Sequence, residues 1–185
     1  MPVIDAVVTD DACRYYAMFL GGILAPPGTP TNVVTPVWDP RWRCIRWGEG
    51  GWTDPGSGRV PRTPSPSLRR LANPQIQDLD AAVDVTRGGS ARYATNERAV
   101  FQKNINWSTD VDYVDPGVAK IRCILGTGEF NDDGFGNPPE IWEIGVFSDH
   151  PLISGQLLMV AYGTMARITK VPSEEVERII RIRFR

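Results

Sequence analysis

Ten prolines fall in the 49 residues from Pro26 to Pro74, and no other feature narrows the possible folds of this chain so sharply. Each proline holds φ near about −65° and lacks an amide donor, so clusters such as PPGTP, DPGSG and PRTPSPS rule out a regular helix or a central sheet strand through that stretch. The same stretch carries Trp38, Trp42, Trp47 and Trp52, too much rigid apolar surface to leave routinely in water. The expectation is an ordered extended arm or loop layer, with Trp42, Cys44 and Arg46 on alternating positions and a turn at Gly48 to Gly51. Two uses of the tryptophans stay open: closing the chain's own core, or packing on a neighbouring subunit.

The flanks are more regular. Pro2 to Val8 is a short apolar start, and Thr9, Asp10 and Asp11 can satisfy the exposed amides of a helix beginning near Ala12. Tyr15, Met18 and Phe19 share one face of that helix, Ile23 continues it, and Gly21 and Gly22 supply a stop. Leu68, Leu71, Ile76 and Leu79 form a bridge that Pro74 interrupts, while Tyr93, Val100, Phe101, Ile105 and Trp107 mark an extended segment or strand pair.

The final third alternates. In VAKIRCIL, Ala119, Ile121, Cys123 and Leu125 face one way and Lys120 and Arg122 the other, the two-residue period of a half-buried strand. IWEIGVF and QLLMVAYGTM are continuous apolar strand candidates on either side of SDHPLISG. At the end, Val176, Ile180, Ile182 and Phe184 oppose Glu177, Arg181, Arg183 and Arg185, which predicts a sheet with a basic outer face. Turns rather than helical crossovers separate these runs, so an antiparallel sheet is expected. The fold class is mainly β: an antiparallel β-sandwich-like body, a short N-terminal helix and a long Pro/Gly/Trp-rich arm. The division is residues 1–25 for the first strand and helix, 26–92 for arm and bridge, and 93–185 for the β-rich body, which shares one core with the N-terminal segment.

Composition excludes several functions. With 20 basic and 22 acidic residues among 185, no clustered basic field marks nucleic acid or an anionic membrane as a partner. Three cysteines, Cys13, Cys44 and Cys123, leave one over in any intramolecular pairing and form no metal-binding spacing, so reduced thiols are expected. No secretory signal pattern and no run of about 18 apolar residues is present, which points to synthesis and assembly in the cytosol.

Catalytic constellations are sparse. His150 is the one histidine, on a turn before Pro151, and neither Ser148 nor Ser154 sits in a GxSxG elbow. Asp132 and Asp133 are spaced as a solvated hairpin rather than a calcium loop, and Glu140 and Glu143 carry no glycosidase signature beyond being two acids. The glycine-rich WGEGGW and GTGEF lack the residues of a phosphate loop. Arg167, Lys170, Arg181, Arg183 and Arg185 read as solvated or protein-contacting cations. No catalytic residue, metal ligand or cofactor is assigned. What remains is assembly chemistry: Trp-bearing segments, marginal arginines, and sheet edges able to recruit a neighbour by backbone pairing.

VTDDACRYYAMFLGG, IRWGEGGW, IWEIGVFSD, QLLMVAYGTMARITK and the terminal RIIRIRF occur in this order across nearly the whole chain. Together they resemble the N-terminal attachment regions of phage tail-fibre, tail-collar and related baseplate proteins. The resemblance implies an opening helix, a glycine-bearing turn after a strand, and a β-rich body joining a fibre or another structural protein to the virion tail. It makes Glu143, Gly145 and Phe147, and then Tyr162 and Gly163, markers of two sheet strands rather than catalysts.

The expected function is therefore a noncatalytic adaptor of a tailed-phage virion, homo-oligomeric or in a multi-protein assembly with other tail or baseplate proteins. Its interface candidates are Trp38, Trp42, Trp47, Trp52, Arg46, Arg181 and Arg183. Two alternatives stand beside it. One is a β-sandwich carbohydrate-binding module using Trp47, Trp52 or Trp107 as a sugar platform; the other is a small hydrolase built on His150 or the clustered acids.

Overall fold

The computed structural model describes residues 2–27, 38–67, 71, 100–115, 117–132, 136–153 and 157–184. The expectations placed on Leu68, Ile76, Leu79, Tyr93, Asp133, Ser154 and Arg185 lie outside the described residues. The order of elements is β1 (Val3–Val8), α1 (Asp10–Leu20), β2 (Trp42–Gly48), β3 (Trp52–Thr53), β4 (Val60–Pro61), β5 (Val100–Asn104), α2 (Trp107–Asp110), β6 (Val111–Asp115), β7 (Val118–Leu125), β8 (Glu140–Asp149), β9 (Leu157–Thr169) and β10 (Val176–Arg183). The protein is mainly β, as its alternating and apolar runs imply.

Among the described residues, eight strands form one sheet in the order β5-β2-β8-β9-β1-β10-β7-β6, and β3 and β4 form a separate hairpin. The two edges, β5 and β6, are consecutive in sequence and joined only by residues 105–110. Such a connection reaches at most roughly 25 Å, whereas the edges of a flat eight-stranded sheet lie about 34 Å apart. The sheet therefore curls, bringing its inner faces around one core.

β1 is the joint of that curl. Val3–Ala6 pair in parallel with Ile179–Ile182 of β10, while Val7 and Val8 pair antiparallel with Tyr162 and Ala161 of β9. At the crossing, a Cβ on Gly163 would lie 2.7 Å from Ile4 Cγ2, so only glycine lets β1 pass this close. All other pairings within the large sheet are antiparallel. The parallel β1–β10 pair departs from the purely antiparallel expectation, because the N-terminal strand fills the place between the two halves.

The curl encloses Ile4, Ala6, Trp42, Ile45, Trp47, Ala119, Ile121, Cys123, Leu125, Ile141, Ile144, Val146, Val160, Ile180 and Ile182, which pack as one cluster. β7 follows the expected alternation, with Ala119, Ile121, Cys123 and Leu125 buried. α1 is capped by Thr9, whose hydroxyl accepts from the Ala12 amide at 3.2 Å and donates to the Met159 carbonyl at 2.5 Å. The helix closes one end of the sheet through Tyr15, which packs with Leu24, Trp38 and Leu158.

One expectation is corrected here. The arm was expected to exclude a central strand, yet β2 lies between β5 and β8 inside the sheet. The prolines bracket it instead of interrupting it: Pro40 precedes and Pro55 follows a proline-free run, so every amide needed for two ladders is present. The expected sidedness of β2 holds for Cys44 and Arg46, which share the Phe147 face, but not for Trp42, because the register shifts between Trp42 and Cys44. That bulge turns Trp42 inward with Ile45 and Trp47, while Cys44 packs on the opposite face with Phe147, Met159 and Tyr162.

Candidate functional site

The most unusual chemistry lies on the second face of the β2–β8–β9 layer, where charged side chains are buried. Arg46 is 1% exposed, Glu49 5% and Glu143 0%. The Arg46 guanidinium donates twice to Gln102 Oε1 on β5, at 2.9 and 2.7 Å, and lies 4.8 Å over the Phe147 ring. Tyr162 Oη donates to Glu143 Oε2 at 2.9 Å. Burial first, and the adjacent Glu143 carboxylate second, push the Tyr162 phenol well above its usual value, so it stays a donor.

The loop after β2 lies directly on this pair. Gly51 has φ +78°, and a Cβ there would come within 2.8 Å of Glu143 Cβ and 2.9 Å of Tyr162 Oη. A Cβ on Gly48 would come within 2.6 Å of Glu143 Oε1. Glu49, between these glycines, accepts from the Glu140 amide at 2.7 Å, and Trp52 Nε1 donates to the Glu49 carbonyl at 3.0 Å. The GEGG sequence thus sets its backbone on the carboxylate–phenol pair and ties it to the start of β8. Held this closely, these groups fix the loop's path.

The fold markers fall together. Glu143, Gly145 and Phe147 are on β8, and Tyr162 and Gly163 on its neighbour β9, with Gly145 paired to Tyr162. Gly145 leaves room for Leu71, whose Cδ2 would be 3.0 Å from a Cβ there.

The interface candidates fare differently. Trp38, Trp42 and Trp47 are 2%, 4% and 0% exposed within the chain itself, and Arg46 is buried as described, so these four are corrected from partner contacts to internal anchors. Trp38 Nε1 donates to the Asp149 carbonyl at 2.8 Å, and Trp42 Nε1 to Tyr16 Oη at 3.1 Å. Trp42 also stacks on Phe184 at 6.2 Å. Large aromatic surfaces are buried by the nearest apolar wall, here the curled sheet. Trp52 remains partly exposed, with Arg59 4.2 Å over its ring.

Arg181 forms a two-pronged pair with Asp5 at 2.5 and 2.8 Å, which holds the Asp5 carboxyl below its usual value. Arg122 pairs with Glu177, and Arg183 is exposed. The outer face of β10 and its neighbours, expected to be basic, is a mixed-charge ladder because acids on β1 and β10 stand beside the arginines.

Of the groups considered for catalysis, His150 and Glu140 are engaged by their own surroundings. His150 Nδ1 accepts the amides of Leu152 and Ile153, both at 3.1 Å. Glu140 pairs with Arg59 at 3.0 Å and Arg167 at 3.3 Å. Lys170, expected at the surface, is buried and donates to Asn131 Oδ1 and the Val171 carbonyl, both at 2.9 Å, pinning the turn before β8. As sugar platforms, Trp47 is buried, Trp52 has a face under Arg59, and Trp107 leans on Trp42 at 5.3 Å while donating to its carbonyl.

Glu49, Gln102 and the Glu143–Tyr162 contact were not singled out from sequence. Their signal was a charge set inside an otherwise apolar strand, Arg46 in WRCIRW and Glu143 in IWEIGVF, since a charge on a face that must be buried needs a partner.

Cys44 and Cys123 are buried and Cys13 exposed, and all three are free thiols. Burial pushes the Cys44 thiol up to about 11, against the opposing pull of Arg46 and Arg43. Among the described residues no helix is long and apolar enough to cross a membrane, and no group of three or more His, Cys, Asp or Glu is placed to hold a metal ion. Compared with known protein families, curated proteins and solved structures, the chain matches none.

Proposed function

We propose that this chain is a noncatalytic structural adaptor of a tailed-phage virion, assembled in the host cytoplasm. In this reading it joins tail or baseplate proteins to a fibre or a neighbouring structural subunit. The observation that carries the reading is how the resembling segments fall in the fold. VTDDACRYYAMFLGG is the capped α1, IRWGEGGW is a strand ending in a glycine turn, and EIGVF and LMVAYGT are adjacent antiparallel strands. These are the elements that the resemblance to tail-fibre and baseplate attachment regions implies.

With Trp38, Trp42 and Trp47 inside the chain, the contact surface is reassigned to exposed aliphatic side chains. Leu20 is 85% and Ile23 58% exposed at the end of α1, and Leu152 and Ile153 are 51% and 45% exposed after β8. The two elements meet where Tyr15 packs edge-on against His150, ring centroids 5.1 Å apart. Large aliphatics this exposed on neighbouring elements suit protein contact better than solvent.

The test is native mass spectrometry of the purified chain alone and mixed with candidate tail and baseplate proteins. The expected result is a stoichiometric complex that Leu20→Asp or Leu152→Asp weakens at least about tenfold without altering the circular dichroism spectrum. A chain that stays monomeric in every mixture would overturn the reading.

A further inference from the structure

The residues that leave β8 form a compact turn organised around one imidazole. His150 Nδ1 is the acceptor for two consecutive backbone amides, those of Leu152 and Ile153, each at 3.1 Å. A ring nitrogen that accepts carries no proton, so this geometry requires the neutral ring with its hydrogen on Nε2. A second proton has only Nδ1 to bind. Once there, it removes the lone pair both amides use and sets an N–H against two N–H donors. We propose that neutral His150 is a proton-sensitive clasp for the turn that follows β8, and that protonation of its ring releases Leu152 and Ile153 from their fixed positions.

The surroundings define the balance. Tyr15 of α1 meets the ring edge-on at 5.1 Å, and Arg14 lies over Tyr15, its Cζ 5.9 Å from that ring's centroid. Asp11, one helical turn before Tyr15, favours the charged imidazole. Asp149, adjacent on β8, is engaged by Arg43 through its carboxylate and by Trp38 Nε1 through its carbonyl. Burial acts against the charged form and outweighs Asp11, so the ring's value lies below the ordinary 6.5. The sign follows. The folded chain binds this proton less readily than the unfolded one, so the clasp's contribution is complete above pH 6.5 and is lost as pH falls through the depressed value.

The clasp is also selective in what it holds. Trp38, Leu158 and Tyr15 pack with Leu24 in a cluster that does not draw on the two amide bonds to His150. Protonation is expected to loosen residues 151–153 without opening the sheet.

The experiment is a pH titration of the ¹⁵N-labelled full chain from about pH 8 to about pH 4.5, following the Leu152, Ile153 and Ile121 amides. His150→Asn keeps an acceptor oxygen near the Nδ1 position but does not titrate, and His150→Ala removes the acceptor. The expected result is that the Leu152 and Ile153 resonances move together with one midpoint below 6.5, while Ile121 in β7 stays still. In His150→Asn both should stay at their high-pH positions throughout, and in His150→Ala both should sit at their low-pH positions from the start. Flat wild-type resonances, a midpoint at or above 6.5, movement of Ile121 in step, or a wild-type titration in His150→Asn would each overturn the proposal, the last by assigning the proton to a group other than His150.

Discussion

β8 and β10 are long strands of the same sheet, yet they live under different rules. In β8 every residue from Ile141 to Ser148 is buried, because the core covers one face and Leu71 with the GEGG loop lies on the other. In β10 only Val176, Ile180 and Ile182 are buried, and the opposite face carries arginines into solvent. Half of a curled sheet is thus double-sided and the other half single-sided. The polar consequences follow from that difference. A charge on β10 costs little and pairs at the surface, whereas Glu143 on β8 must be matched inside the protein, by Tyr162 and the loop above it.

The largest test of the contrast is Trp47→Ala, which empties a fully buried site in the double-sided half. A loss of about 3–5 kcal/mol in urea unfolding is expected, enough to unfold a marginal domain. A loss below about 1 kcal/mol would return Trp47 to the class of surface anchors. Next is Gly51→Ala, where positive φ and the contacts on Glu143 and Tyr162 act together. Destabilisation by about 1–3 kcal/mol is expected, and a neutral change would mean that the loop is free to lift.

Tyr162→Phe keeps the ring and removes the donor to a buried carboxylate. Its expected cost is about 1–2 kcal/mol in urea unfolding. An unchanged urea midpoint would show that Glu143 does not depend on this hydroxyl. The smallest effect belongs to the single-sided half. Arg181→Ala should leave the urea midpoint unchanged within error, since its pair with Asp5 is partly solvated. A clear loss there would erase the distinction between the two halves.

The same difference governs what could be read in advance. β7 and β10 were legible because one face meets water, so Ala119, Ile121, Cys123 and Leu125 alternate visibly with Lys120 and Arg122. α1 was legible through Thr9 and its acidic first turn. β8 and β9 could be recognised as strands, but a continuous apolar run does not say what lies on either side. β2 is hidden in the sequence because the proline-rich stretch from Pro26 to Pro74 is much wider than the proline-free run that forms the strand. The candidate site was less accessible still. Arg46 and Glu143 could be seen as charges in apolar company, but Gln102 lies 56 residues from one and Tyr162 19 residues from the other.

What the residues dictate locally is the inventory of strands, the capped helix and the glycine-bearing turn, because periodicity, capping and positive φ depend on near neighbours. The curl of the sheet, the insertion of β1 between β9 and β10, and the inward rotation of Trp42 are long-range outcomes. They depend on register and on one bulge, which shift whole faces by a single residue and are settled by which packing leaves the fewest apolar surfaces and buried charges unmatched.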